Sequence, residues 1–204
     1  MDPCIQAVAQ IALNFKYAIT MNTILIPRWG GHATTDWYPE ARQLNLIDEI
    51  LEMPQPQMPR LEPWITTTYE MLRSRQLELS DTRIVTHSVG CHALMKALEM
   101  LPRSMQVAEV VMVAAWWDID HVFWKSMGMN SADIAPWIGY PLDIKSVRSA
   151  IGTWRVIVGT EDPFWPDYQS NLQRWVEVSV DVASVLPKGK HFNQSHEPAL
   201  FDLI

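Results

Sequence analysis

Five short runs of aliphatic and β-branched residues constrain the fold most: residues 23–26 (TILI), 83–86 (RIVT), 108–115 (AEVVMVAA), 153–159 (TWRVIVG) and 182–186 (VASVL). Most are apolar at successive positions rather than alternate ones, so a strand made from such a run must bury both of its faces. Segments with the apolar spacing of helices lie between them, at 38–52, 63–79, 88–101 and 167–178. Strands that alternate with helices predict a doubly wound, mostly parallel sheet covered on both sides, an α/β fold. Proline sets local limits. The stretch MPQPQMPRLEP has room for only a short edge strand near 57–58, and Pro63 suits the first turn of the helix after it. Residues 116–142 are rich in Trp and Pro without a clear period, and read as a loop or small cap over one edge.

A chain of 204 residues supports one substantial core, placed here at residues 21–204. The net charge of −7 and the lack of a basic cluster argue against nucleic acid as a partner. Two cysteines, Cys4 and Cys91, are too few for a disulfide framework, which favours a reduced cytoplasmic setting. The first twenty residues carry Ile5, Val8, Ala12, Phe15 and Ile19 at helical spacing, but Gln6, Gln10, Asn14 and Lys16 interrupt the apolar run. They read either as an amphipathic helix or as a dispensable extension, and neither as a signal peptide nor as a membrane span.

In a parallel sheet, reactive groups gather where the strands end. Four segments bring unusual residues there: PRWGG after 23–26, HSVG after 83–86, TEDPFWP after 153–159 and GKHFNQSH after 182–186. Ser88 has two readings. Serine is a favoured helix N-cap, and it is also the residue that a sharp strand-to-helix elbow presents as a nucleophile. Such an elbow needs small residues two before and two after the serine. Gly90 meets the second requirement, whereas Thr86 stands where the first glycine would be.

In this order and spacing, ILIPRWGGHATTDWYPE, THSVGCHALMKAL, VVMVAAWW, VIVGTEDPFWP and GKHFNQ make the chain resemble the small α/β-hydrolases of the YdeN-like family, which includes retinoblastoma-binding protein nine. The resemblance runs from Met21 to the end. It implies an α/β-hydrolase fold with a minimal cap, Ser88 as nucleophile, Asp162 as acid and His191 as base. It also implies an oxyanion hole made of the backbone N–H groups of Val89 and Trp29. Arg28 replaces a glycine usual in such relatives. Its side chain is expected either to crowd the hole or to select an anionic substrate. The chain stops at HEPALFDLI, where relatives tend to have a longer final helix.

Alternatives stay open for two of these roles. His196, and more remotely His121, compete with His191. Glu161, Asp167, Asp118 and Asp120 compete with Asp162. His87 and His92 read as structural and Cys91 as a small buried residue. Trp64, Trp154 and Trp175 are expected in the core. Trp29, Trp116 and Trp165 are expected to line an apolar substrate pocket with Arg28, ahead of Trp117 and Phe164. No metal-ligand spacing, P-loop or dinucleotide fingerprint occurs, so no metal or cofactor is expected. The expected function is a serine hydrolase, carboxylesterase-like, acting on a small ester or amide as a monomer or small homo-oligomer. An acyltransferase using the same acyl-enzyme is the nearest variant. A catalytically silent binding protein on this fold is the rival class.

Overall fold

A computed structural model of the chain describes residues 21–204; the expected N-terminal helix lies outside them. The sheet has six strands: β1 (Asn22–Ile26), β2 (Glu49–Ile50), β3 (Thr82–His87), β4 (Val107–Val113), β5 (Ile151–Gly159) and β6 (Val182–Leu186). Their order is β2-β1-β3-β4-β5-β6, with every neighbouring pair parallel. Eight helices follow in chain order among the described residues: α1 (Tyr38–Gln43), α2 (Leu61–Ser74), α3 (Val89–Glu99), α4 (His121–Ser126), α5 (Ser131–Ile138), α6 (Ile144–Ser149), α7 (Tyr168–Glu177) and α8 (Pro198–Phe201). The expected doubly wound α/β architecture is met.

Successive strand residues face opposite sides, and each side has its own core. Ile24, Ile84, Val110, Met112 and Val156 pack with Trp64 and Leu72 of α2, with α3, with Val147 of α6 and with Trp175 of α7. Leu25, Val85, Val111 and Ile157 pack on the other side against Tyr38 and Ala41 of α1 and Leu200 of α8. Trp64, Trp154 and Trp175 are fully buried, as expected. Each such aliphatic side chain stabilises the fold by about 1.5–3 kcal/mol.

Two segments differ from the expectation. The helix foreseen over 38–52 stops at Gln43. Asn45 takes a positive φ of 56°, and the chain then enters β2, which adds to the edge beside β1. The edge strand is therefore at Glu49–Ile50, and 57–58 is a turn. Residues 116–142 hold two short helices rather than irregular chain. Asp120 caps α4 by accepting from the N–H groups of Val122 and Phe123, and the Asn130 side chain starts α5 by accepting from Ala132. Among the described residues, no helix is long and apolar enough to cross a membrane.

Candidate active site

The elbow follows from a close approach of backbones. Gly90 opens α3 directly beneath β1, where a Cβ would lie 2.7 Å from the Pro27 carbonyl and 2.8 Å from that of Ile26. Ser88 turns the chain with φ 55° and ψ −120°, a conformation that costs a non-glycine residue about 1–3 kcal/mol. It occupies the N-cap position of α3 yet makes no side-chain capping bond. The hydroxyl is thus free of the bland role open to it. Thr86 fits without glycine because it is a fully buried central-strand residue whose hydroxyl meets the Cys91 sulfur at 3.1 Å. Burial pushes the Cys91 thiol up to about 12, which leaves it protonated and without thiolate character.

Three residues distant in sequence meet at the strand ends. Ser88 Oγ lies 2.8 Å from His191 Nε2, and His191 Nδ1 lies 2.7 Å from Asp162 Oδ2. The other Asp162 oxygen accepts from the Phe164 N–H at 2.9 Å. All three are buried, at 5%, 4% and 8% exposure. The Trp116 indole N–H donates to Ser88 Oγ at 3.2 Å, so the serine's own proton is directed to His191. A line of this kind can pass a proton from serine to imidazole while the carboxylate holds the tautomer.

The competing candidates are occupied elsewhere. His196 pairs with Glu40 at the surface, and His121 with Asp118. Asp120 and Asp167 cap α4 and α7, and Glu161 is exposed.

The loop after β1 is tied down at several points. The Arg28 N–H donates to the Tyr38 hydroxyl at 3.1 Å, Gly30 to the Pro56 carbonyl at 2.7 Å, and the Trp29 indole to the Gln57 carbonyl at 3.2 Å. The Arg28 guanidinium grips both Asp36 oxygens, at 2.5 and 2.8 Å, and the Trp29 carbonyl at 2.6 Å. Among the described residues, the backbone N–H groups of Val89 and Trp29 have no protein acceptor.

One connection escaped the sequence reading. His87 Nε2 donates to the His191 carbonyl at 2.8 Å, so its Nδ1 accepts from the Tyr38 hydroxyl at 2.9 Å. The β1 loop and the His191 loop are thereby joined through one buried imidazole. Only the histidine beside the serine hinted at it.

Ser88, Val89 and His191 open on a cavity of about 250 Å³. Arg28, Trp29 and Trp116 line it, with Ile119, Trp124, Ile134 and Phe164. The small cap thus supplies much of the wall. Trp165 does not reach this cavity; it borders a separate depression with Asp118 and Asp120, and Phe164 fills the place expected for it. Trp117 packs on Trp175 under Arg174. No group of three or more His, Cys, Asp or Glu among the described residues is placed to hold a metal.

Burial holds His87 well below the ordinary histidine value of 6.5, with the charge of His191 a lesser cause, and lowers His92 to about 3. Both groups are neutral in the folded and unfolded chain above pH 6.5. Below it only the unfolded chain takes up the protons. Stability is therefore expected to fall as pH drops below that value, with both groups contributing in the same direction. Thermal melts across the acid range check this. His92→Phe, which keeps a ring against Trp116, is expected to flatten the slope, and an unchanged slope would contradict it.

Residues 23–196 match the sequence family described as serine hydrolase. The hydrolase YdeN of Bacillus subtilis (strain 168) is 31% identical over 102 residues, 48% of this chain and 52% of that protein, so the match spans about half of that relative. The crystal structure of the ydeN gene product from B. subtilis superposes with a TM-score of 0.74 at 22% identity, over 90% of this chain and 96% of that one. The naproxen esterase (carboxylesterase NP) of Bacillus subtilis superposes with a TM-score of 0.59 at 13% identity, over 89% of this chain and 81% of that one. The fold these structures share with the chain is that of the α/β-hydrolases.

Proposed function

Because the chain belongs to the serine hydrolase family, we propose that it cleaves a small carboxylic ester through an acyl-Ser88 intermediate. The observation that carries this reading is the unbroken line Asp162–His191–Ser88, with contacts of 2.7 and 2.8 Å. His191 Nε2 takes the hydroxyl proton as Ser88 Oγ forms a bond to the ester carbon. The carbonyl oxygen gains negative charge and is met by the N–H groups of Val89 and Trp29. When the tetrahedral species collapses, the bond to the alkoxy oxygen breaks and His191 returns the proton to the departing alcohol. Water then attacks the acyl carbon and gives a proton to His191, which passes it to Ser88 Oγ as the acid leaves. The Asp162 carboxylate holds the tautomer of His191 and stabilises the imidazolium.

No metal or organic cofactor enters these steps. A reducing, cytoplasmic setting suits the buried free thiol of Cys91.

Intact-mass spectrometry after exposure to a small fluorophosphonate tests the proposal. One adduct is expected on the wild type and none on Ser88→Ala or His191→Ala. A folded wild-type protein that takes no adduct would sink it.

A further inference from the structure

We infer that the cavity beside Ser88 takes an uncharged, apolar acyl group, and that Asp36, which lines no part of it, sets this preference by occupying the Arg28 guanidinium. The inference rests on acyl transfer to Ser88 as proposed above. The acyl group is the part of the substrate that stays bonded to Ser88 Oγ through both steps, and the cavity bordered by Ser88 is the space beside that atom.

Beyond Ser88 and His191 the walls of that space are largely apolar, Trp29, Trp116, Trp124 and Phe164 among them, and Asn193 adds one uncharged amide. None of these carries a charge. Arg28 is the arginine of the lining, and by itself it would mark a carboxylate receptor. The geometry removes that role. Its Nε and Nη2 hold the two Asp36 oxygens at 2.5 and 2.8 Å, and its Nη1 holds the Trp29 carbonyl at 2.6 Å. The planar fork that would bind a substrate carboxylate in bidentate fashion is already taken by one. The Asp36 carboxylate is almost fully enclosed, at 7% side-chain exposure, so solvent does little to loosen the pair.

The cavity therefore faces a neutral ion pair and not a free cation. An anionic acyl group would leave water for largely apolar walls with no unpaired cation to meet its charge, whereas an uncharged one gains from burial. The cation is retained because it fixes the loop that carries the Trp29 N–H. Asp36 is thus a specificity-determining residue that acts from outside the cavity.

The test compares kcat/KM for the p-nitrophenyl esters of butyrate and of hemisuccinate, similar in length and different in charge. The wild type is expected to favour butyrate by on the order of 100-fold. Asp36→Asn keeps a side chain that tolerates the positive φ of 51° at this position and releases the guanidinium. It is expected to raise hemisuccinate turnover relative to butyrate by about 10-fold or more, the effect of one new charge-assisted bidentate contact. The double variant Arg28→Gln/Asp36→Asn is expected to restore the wild-type ratio. A wild type that cleaves both esters alike would overturn the inference, as would an Asp36→Asn that slows both in parallel. Should the wild type label with fluorophosphonate but favour hemisuccinate, the inference fails and the acyl-serine reading stands. No labelling at all removes both.

Discussion

Ser88→Ala is expected to lower kcat for ester cleavage by about 10⁶-fold while leaving the protein folded. The variant loses the atom that forms the acyl bond, and only the oxyanion donors and the cavity remain to assist water. His191→Ala is expected to cost about as much, and the double variant little more, because the two side chains act as one unit. Asp162→Asn is expected to cost about 10⁴-fold, since an amide at 2.7 Å from Nδ1 favours the wrong imidazole tautomer. Losses that multiplied across the double variant would mean that Ser88 and His191 do not work together. The elbow adds a second readout. Alanine at position 88 inherits the φ of 55° and also leaves the Trp116 N–H and His191 Nε2 without the hydroxyl, so no stability is gained. Ser88→Gly relieves the backbone and is expected to stabilise by roughly 1 kcal/mol. Stability gained with activity lost would place the strain at the nucleophile itself.

Gly159→Ala is expected to be the most damaging single change outside the three site residues. A Cβ at Gly159 would lie 2.2 Å from the Gly189 carbonyl oxygen and 2.6 Å from that of Lys190. Both are backbone atoms and cannot swing aside. The same Gly189 carbonyl accepts from the Glu161 N–H at 2.8 Å, and the Lys188 N–H reaches the Thr160 hydroxyl at 2.8 Å. These contacts lace the loop bearing Asp162 to the loop bearing His191. A methyl group driven between them must spread the two loops at a cost of about 3 kcal/mol or more. Melting and kcat are expected to fall together, with the Asp162–His191 contact lengthened. Gly139→Ala is the control: its Cβ meets only the Ala135 carbonyl, at 3.7 Å. A Gly159→Ala protein that melts and turns over like Gly139→Ala would refute the account.

The strands were legible because their apolar runs are bounded by proline, glycine or charge, and burial on both faces leaves few other conformations for such runs. The helix at 38–52 was read too long. Ile47 and Ile50 keep helical spacing after Tyr38, but they reach the core from a turn and an edge strand. Spacing alone does not separate these outcomes. The cap helices were hidden for the opposite reason: α4 has six residues, and α5 contains Pro136, which reads as a breaker. Ser88, Asp162 and His191 were named by resemblance, and the chain order alone did not decide among the acidic candidates. The Tyr38–His87–His191 line shows locally only as the histidine beside Ser88, because its members are 49 and 104 residues apart. Arg28 was recognised as a departure, yet its meaning depended on Asp36, eight residues on, which no pattern singled out.

The position of His191 makes the site depend on the least protected margin of the molecule. Ser88 follows a central strand, whereas His191 follows β6, one of the two edge strands, whose residues are exposed or half-buried along its length. Detaching that strand would carry away His191, the proposed base, and with it one wall of the cavity, while leaving the elbow and the central sheet in place. Such an opening takes less free energy than unfolding the whole domain. Esterase activity is therefore expected to fall on warming before most of the secondary structure does, which activity and far-UV circular dichroism followed over the same temperatures would check.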